Sequence, residues 1–279
     1  MNLPKLGIGT ALISDANEME AIIDHALQTG YRLFDTATLY GNETELGAAL
    51  KKSLPKLGLT REDIFVTTKL LPSCLNPSVV ANQVKESLHR LQMDYVDLYL
   101  IHSPGSPGHY KDPENIQRRQ SVWKVMEDIK EIGHVGSIGV SNFQQSHLQQ
   151  LLTSCTVPPA VNQLEFHPYF YRHDLVKYCS NNNILIQSHS PFAGGVSSLA
   201  SEPTLLQIAS QHETSPHSII LSWLQHICAS VVAKPDNRCH VTDNYRSVNI
   251  VLTEDEQATI SALDRGHSYA KNCDSWNIL

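Results

Sequence analysis

Strand-like and helix-like segments alternate along almost the whole sequence. Eight short apolar runs predict strands, and each is followed by at least one segment with a helical period. The predicted strands cover 6–12, 31–36, 63–69, 94–102, 135–140, 160–164, 184–188 and 230–233. The predicted helices cover 17–28, 43–54, 76–90, 114–132, 145–153, 173–182, 203–213, 216–227 and 253–264. Regular alternation gives parallel strands with right-handed crossovers. Eight repeats in 279 residues fit a closed (β/α)8 barrel of roughly 250 residues. We therefore expect an α/β TIM barrel, with residues 1–279 as a single domain.

Composition and charge argue against several classes of function. The net charge of −7 and the lack of a basic cluster disfavour a nucleic-acid surface. No apolar run approaches the ~20 residues that cross a bilayer, and the N-terminal segment lacks the pattern of a secretory signal. The six cysteines form no CxxC pair, and the fourteen histidines form no zinc-like cluster. We expect a cytoplasmic protein with free thiols and no metal. A monomer is expected as well, since no heptad pattern or exposed apolar stripe is present.

Polar residues stand where the predicted strands end. In a parallel barrel the carboxyl ends of all strands meet on one rim, which is where barrel enzymes keep their chemistry. The stretch 33–43 brings Asp35 to the end of the second strand and Tyr40 to the loop that follows. The other polar strand ends are Lys69, His102, Ser141-Asn142, Asn162-Gln163, His189-Ser190 and Lys234. We expect these side chains to face one another across the rim.

Asp35, Lys69 and Tyr40 allow two interpretations. A buried Asp and Lys are ordinarily a structural ion pair, but a tyrosine beside them changes what the pair can do. The ordinary pKa of tyrosine, near ~10, is too high for ready proton exchange at neutral pH. An ammonium about 4 Å away favours tyrosinate by roughly 4 kcal/mol at an effective dielectric constant of ~20. The negative charge of Asp35 offsets part of this energy. The trio therefore predicts a tuned general acid, and His102 can donate a hydrogen bond to a substrate oxygen at the same point.

Five motifs, in the same order, resemble those of the aldo-keto reductases. The motifs are 34–37 with 40–43, 68–69, 98–104, 139–143 and 162–168. The resemblance runs from about residue 5 to the last predicted helix. It implies a (β/α)8 barrel that binds NADPH in extended form at the rim. It also implies a reaction in which a small-molecule aldehyde or ketone is reduced to an alcohol.

The resemblance also implies roles for individual residues. Tyr40 would be the proton donor, Lys69 would lower its pKa, and Asp35 would hold Lys69. His102 would orient the carbonyl group while hydride passes from the nicotinamide to the carbonyl carbon. The positions implied in cofactor binding are Thr10, Ser141, Asn142, Gln163, His189, Ser190, Phe192, Lys234, Asn237, His240 and Asn244. Among them, Ser141, Asn142 and Gln163 match positions that hold the carboxamide.

Three residues depart from the family's usual pattern. His189 stands where a tyrosine usually stacks on the nicotinamide. Pro235 and His240 stand where a serine and an arginine usually hold the adenosine 2′-phosphate. Proline has no hydroxyl and no backbone donor, and a mostly neutral imidazole replaces a permanent bidentate cation. Arg238, two positions away, is a candidate replacement. We expect NADPH as the cofactor at weakened affinity, with NADH as the alternative.

The substrate side of the pattern is also unusual. Ala11 and Ser103 are small where this family often has large aromatic residues, so we expect a wide pocket or one filled by other side chains. The candidates for filling it are Tyr110, Phe192, Tyr269 and Trp276.

Two functions other than carbonyl reduction stay open at this stage. One is a non-redox, isomerase-like enzyme that kept the acid–base group while its nucleotide site drifted, as His189, Pro235 and His240 suggest. The other is a regulatory binding protein like the potassium-channel β subunits, which share the barrel. The complete set of Asp35, Tyr40, Lys69 and His102 favours the reductase. The sequence does not identify the substrate.

Overall fold

The strands form one closed parallel barrel. The structure is a computed structural model that describes residues 1–105, 112–195 and 197–269. Each strand pairs with the next along the chain, and the eighth pairs with the first. The strands are β1 (Leu6–Gly9), β2 (Leu33–Asp35), β3 (Phe65–Leu70), β4 (Val96–Ile101), β5 (Val135–Ser141), β6 (Val161–Glu165), β7 (Leu185–His189) and β8 (Ser230–Ala233). The (β/α)8 fold predicted from the sequence is confirmed.

Helices connect the strands on the outside of the barrel. They are α1 (Ala16–Thr29), α2 (Glu43–Ser53), α3 (Pro77–Leu91), α4 (Asn115–Ile132), α5 (Gln145–Leu152), α6 (His173–Asn181), α7 (Ser197–Ala200), α8 (Pro203–Gln211), α9 (Pro216–Ile227), α10 (Arg238–Arg246) and α11 (Glu254–Ser261). None of the helices in the described ranges is long and apolar enough to cross a membrane. Most of the apolar core lies between these helices and the strands.

A second, smaller apolar cluster fills the inside of the barrel. Its buried members come from five strands: Leu33, Phe65, Leu98, Leu100, Val161 and Val232. Strand side chains alternate between the two faces of a sheet. The residues two positions further on therefore point into the barrel as well, one layer nearer the rim. Those residues are Asp35 and Gln163, and Lys69 follows Phe65 by two such steps. His102 directly follows β4 and borders the same layer. An apolar floor thus supports a polar layer, which is where the candidate site lies.

Two helices were not predicted from the sequence. The four-residue α7 precedes α8, and the nine-residue α10 follows β8 after a four-residue loop. Only Val241 and Asn244 of α10 are buried, so this segment has no apolar stripe with a helical period. The side chain of Asn237 accepts a hydrogen bond from the backbone N–H of His240 at 3.0 Å and caps the helix. The cap and the packing of α10 against α1 fix a helix that the hydrophobic pattern does not indicate.

Candidate active site

A buried ammonium group lies at the centre of the site. Lys69 is the penultimate residue of β3, and its side chain has no exposed surface. Its Nζ atom lies 2.6 Å from Oδ1 of Asp35, 3.0 Å from the carbonyl oxygen of Thr36 and 3.3 Å from the hydroxyl oxygen of Tyr40. The ammonium therefore bridges an acid at the end of β2 and the tyrosine that follows in the same loop. The trio predicted from the sequence is brought together.

The charges around Lys69 keep its ammonium protonated. Burial alone lowers the pKa of a lysine because it penalises the charged form. The carboxylate of Asp35 and the oxygen of Tyr40 outweigh that effect, and the pKa of Lys69 is raised above its ordinary value. The positive charge beside Tyr40 is therefore permanent at neutral pH.

His102 faces Tyr40 from the end of β4. The two rings are 5.7 Å apart between centroids and stand nearly perpendicular to each other. Burial, followed by the charges of Lys69 and His189, lowers the pKa of His102 well below its ordinary value of 6.5. Nδ1 of His102 is buried and has no hydrogen-bond partner among the described residues. The ring is thus neutral at pH 7 and carries a single N–H group, which can donate one hydrogen bond.

A chain of buried amides supports Asp35 from the opposite side. Nε2 of Gln163 donates to Oδ2 of Asp35 at 2.7 Å and lies 2.6 Å from Oε1 of Gln187. Gln187 in turn donates to Oγ of Ser230 at 3.2 Å. Both oxygens of Asp35 are therefore held. Gln163 was expected at the rim, whereas Gln187 and Ser230 lie within β7 and β8 and were not identified because they do not end a strand.

Asn42 holds the two loops that surround Tyr40. Its Nδ2 donates to the carbonyl oxygens of Thr10 at 2.7 Å and of Ile13 at 2.8 Å, and its Oδ1 accepts from Thr36 at 2.8 Å. The hydroxyl of Thr10 donates to the backbone oxygen of Asp35 at 3.1 Å. Asn42 is buried and positions Tyr40 through the backbone. Asn42 lies in the motif at 40–43, but the residue types there do not indicate this positioning role.

Ser141 and Asn142 lie beside His102 at the end of β5. Asn142 has a left-handed backbone with φ of 63°, and its Nδ2 donates to the backbone oxygen of His102 and to Oγ of Ser141, each at 3.1 Å. Ser141 donates to the backbone oxygen of Gln163 at 3.0 Å. These three predicted positions therefore form one cluster of donors and acceptors. That mixture suits a carboxamide group, which both donates and accepts hydrogen bonds.

His189 extends this cluster from β7. Its Nε2 lies 3.1 Å from Oδ1 of Asn142, and its Nδ1 lies 3.0 Å from Oγ of Ser190. Since an amide oxygen only accepts, Nε2 carries the proton and Nδ1 accepts from Ser190. Burial lowers the pKa of His189 to about 4 against the raising effect of Glu165. A neutral, fixed imidazole thus occupies the position where the family usually has a tyrosine.

Four other residues predicted to bind the cofactor follow β8, in the loop before α10 or in α10 itself: Lys234, Asn237, His240 and Asn244. The Nζ atom of Lys234 forms a hydrogen-bonded ion pair with Oδ1 of Asp236. Asn237 uses its side-chain oxygen to cap α10, and His240 is exposed in the first turn of that helix. Asn244 is buried, and its backbone oxygen accepts from Ser247 at 2.6 Å.

Phe192 is half-buried, and its ring stands nearly perpendicular to that of His217 at the start of α9, with 4.8 Å between the centroids. Among the other residues proposed to fill the substrate pocket, Tyr110 and Trp276 lie outside the described residues. The backbone N–H of Tyr269 donates to Oε1 of Glu165 at 2.6 Å, and its ring lies near those of His167 and His267.

Glu165 ends β6 and anchors the segment that follows α11. It accepts hydrogen bonds from Ser268 and Tyr269, and its Oε1 lies 3.1 Å from Nε2 of His167. Burial raises the pKa of Glu165, but these hydrogen bonds outweigh it and bring the pKa to about 2. The contact joins the rim to residues that lie about 100 positions later in the chain. Sequence spacing offers no signal for it.

Known proteins share this fold and this sequence pattern. Residues 5–265 match the model of the Aldo/keto reductase family. The chain is 34% identical to a glyoxal reductase of Bacillus subtilis, with 98% of this chain and 94% of that protein covered. An aldo-keto reductase from a Medee basin deep-sea metagenome library, MGS-M4, superposes with a TM-score of 0.89 at 32% identity, covering 98% of this chain and 96% of that one. The aldose reductase of Schistosoma japonicum superposes with a TM-score of 0.85 at 31% identity, covering 95% and 90%. The chain therefore belongs to the aldo/keto reductase family.

Proposed function

We propose that this chain reduces small aldehydes and ketones to alcohols, with Tyr40 as the general acid. The observation that carries the proposal is the buried Lys69 ammonium, placed between Asp35 at 2.6 Å and the Tyr40 hydroxyl at 3.3 Å. A bound nicotinamide dinucleotide would supply the hydride. The residues of the chain would bind the carbonyl group, orient it and deliver the proton.

Tyr40 would protonate the carbonyl oxygen. When hydride adds to a carbonyl carbon, negative charge builds up on the oxygen, and a nearby acid that gives up its proton lowers the barrier. The ammonium of Lys69 stabilises the phenolate that remains on Tyr40. Asp35 keeps that ammonium in place and protonated. The three residues therefore make a phenol, normally a weak acid, able to act near neutral pH.

His102 would orient the substrate without supplying the proton. Its ring is neutral at pH 7 because of its low pKa, and its one N–H group can donate to the carbonyl oxygen. With His102 neutral, Tyr40 is the acid in the described part of the site. This division of roles predicts that the two residues fail differently when they are replaced.

The donor and acceptor cluster beside His102 would hold the nicotinamide carboxamide. Ser141, Asn142 and Gln163 supply the polar groups, and the neutral ring of His189 would offer a flat surface beside them. Thr10, Ser190, Phe192, Lys234, Asn237, His240 and Asn244 complete the proposed contacts with the cofactor. The sequence favours NADPH, with NADH as the alternative.

The substrate class follows from the size of the rim residues and from the relatives. Ala11 and Ser103 are small where the family often has large aromatic residues, and Leu39, which precedes Tyr40 in the chain, is 56% exposed. A similar protein is named a glyoxal reductase. We therefore propose small dicarbonyls and aromatic aldehydes as substrates, acted on by a monomeric cytoplasmic enzyme.

The test compares the wild type with Tyr40→Phe. The variant keeps the ring and removes the acid, so we expect oxidation of NADPH and NADH by glyoxal and 4-nitrobenzaldehyde to fall at least about 10²-fold. Nucleotide binding, followed by tryptophan fluorescence, should persist. Equal turnover by the variant would contradict the role of Tyr40. A nucleotide that binds to the wild type but is never oxidised would favour the non-redox alternative.

A further inference from the structure

The loop between β8 and α10 has the position of a phosphate site. In (β/α)8 barrels, phosphate groups are often bound by the loops after the last two strands and by the start of a short extra helix. Here Lys234 directly follows β8, and α10 begins four residues later. His240 lies in the first turn of that helix. From its position alone, this loop would be expected to bind an anionic group of a dinucleotide.

The ammonium group of Lys234, the cation of this loop, already forms an ion pair with the carboxylate of Asp236. Oδ1 of Asp236 accepts a hydrogen bond from Nζ of Lys234, and its Oδ2 lies 3.8 Å from Nδ1 of His240. The hydrogen bond from Lys234 lowers the pKa of Asp236, so the group is ionised at neutral pH. The side chain of Lys234 is only 34% exposed, whereas that of Asp236 is 68% exposed. An incoming anion would therefore meet Asp236 first.

Few other groups here can compensate for that negative charge. Pro235 has no backbone N–H to donate. Burial and the neighbouring His240 lower the pKa of His217, so His217 is mostly neutral at pH 7. Arg238 is exposed and interacts electrostatically with Asp24 of α1. The residues present therefore do not fit a phosphate dianion well.

We infer that Asp236 determines the choice of dinucleotide and that the chain binds NADH at least as tightly as NADPH. The inference rests on the proposed function. The ribose 2′-hydroxyl of NADH can donate a hydrogen bond to a carboxylate, as acidic residues accept from this hydroxyl in other dinucleotide sites. The 2′-phosphate of NADPH carries a charge of about −1.5 to −2. It would have to displace Asp236 from Lys234 and remain beside it. The inference differs from the expectation, drawn from the sequence, that NADPH is the preferred cofactor.

The experiment measures the dissociation constants of NADH and NADPH by isothermal titration calorimetry, without a carbonyl substrate. The wild type is compared with Asp236→Asn, which keeps the shape of the side chain and removes its charge. The control is Asp255→Asn, which removes one exposed carboxylate from α11. We expect Asp236→Asn to tighten NADPH binding at least about tenfold, because like charges in contact disfavour binding by this much or more. Binding of NADH should change less than about threefold, and the control should match the wild type.

The remaining outcomes distinguish a failure of the inference about Asp236 from a failure of the proposed function. If the wild type binds NADPH more than about threefold more tightly than NADH, or if Asp236→Asn tightens NADPH binding less than about tenfold, the inference about Asp236 is wrong and the proposed function stands. If neither nucleotide binds to the wild type or to either variant, the proposed function fails and the inference fails with it. Equal unfolding midpoints of the three proteins would show that the comparison is between folded proteins.

Discussion

Replacing Lys69 with methionine tests whether the ammonium acts on Tyr40 or only neutralises Asp35. The variant leaves the buried carboxylate of Asp35 with the amide of Gln163 at 2.7 Å as its remaining side-chain partner. Removal of one member of a buried pair costs about 3–5 kcal/mol, because the other charge is left uncompensated. We expect the free energy of unfolding of Lys69→Met to fall by that amount.

The double variant Asp35→Asn/Lys69→Met separates stability from activity. It removes both charges, and the oxygen of the new Asn can still accept from Gln163. Most of the lost free energy of unfolding should therefore return. Activity should not return, since the ammonium 3.3 Å from the Tyr40 hydroxyl is still absent. At that distance and an effective dielectric constant of about 20, it favours the phenolate by about 5 kcal/mol before the opposing effect of Asp35.

The assays are urea denaturation for the free energy of unfolding and initial rates at the nicotinamide absorbance band for kcat. We expect kcat of both variants to fall about 10²–10⁴-fold. Lys52→Met is a matched control, because Lys52 lies 2.6 Å from Glu20, the same distance as in the buried pair, but is 60% exposed. Its stability should change by less than about 1 kcal/mol, with kcat unchanged. Recovery of kcat in the double variant would refute the proposed action of Lys69 on Tyr40, because the ammonium would then only neutralise Asp35.

Three further predictions test the groups around this centre. Asn42→Ala removes the side-chain donor to the buried carbonyl groups of Thr10 and Ile13. The carbonyl oxygen of Thr10 keeps the backbone N–H of Ile13 as a donor at 3.1 Å, so the free energy of unfolding should fall by about 1–3 kcal/mol in urea denaturation, mainly from the carbonyl of Ile13. The value of kcat should fall about tenfold as the loop of Tyr40 loosens, and unchanged values would contradict the positioning role of Asn42. Glu165→Gln removes the charge of the carboxylate that accepts hydrogen bonds from residues 268 and 269. Trypsin should therefore cleave faster after Arg265, which mass spectrometry would detect. Cleavage at the wild-type rate would mean that other contacts hold the segment. The pKa of His189 is about 4 in the folded chain and near 6.5 when unfolded, so the unfolded state binds more protons between these values. Stability should therefore fall as the pH is lowered from 6.5 to 4, by at most about 1.4 kcal/mol per pH unit from this group. His189→Gln should show a shallower slope in unfolding curves measured across this range, and an unchanged slope would contradict the assignment.

The centre of the site was predictable because it depends on strand periodicity. Side chains on a strand alternate between faces, so an apolar residue that faces the barrel interior fixes the direction of the residue two places later. Leu33 and Asp35 have this relation, and so do Leu100 and His102. The carboxyl ends of all strands meet on one rim. Strand alternation and the shared rim are therefore enough to predict that residues far apart in the sequence meet at one point. The conformations of the loops do not have to be known.

The dinucleotide end of the site depends on loops and on a helix that has no apolar stripe. Lys234 and Asp236 are two positions apart, and their contact depends on the turn between β8 and α10, which the residue types do not determine. With α10 absent from the predicted elements, the sequence did not predict that the side chain of Asn237 caps that helix. The residue types at Pro235 and His240 were visible in the sequence, but the ion pair between Lys234 and Asp236 was not. The two halves of the site therefore differ in how directly the sequence determines them. The positions of the proposed catalytic residues follow from strand register, whereas the cofactor choice that we infer depends on one ion pair in a turn, which a single substitution can remove.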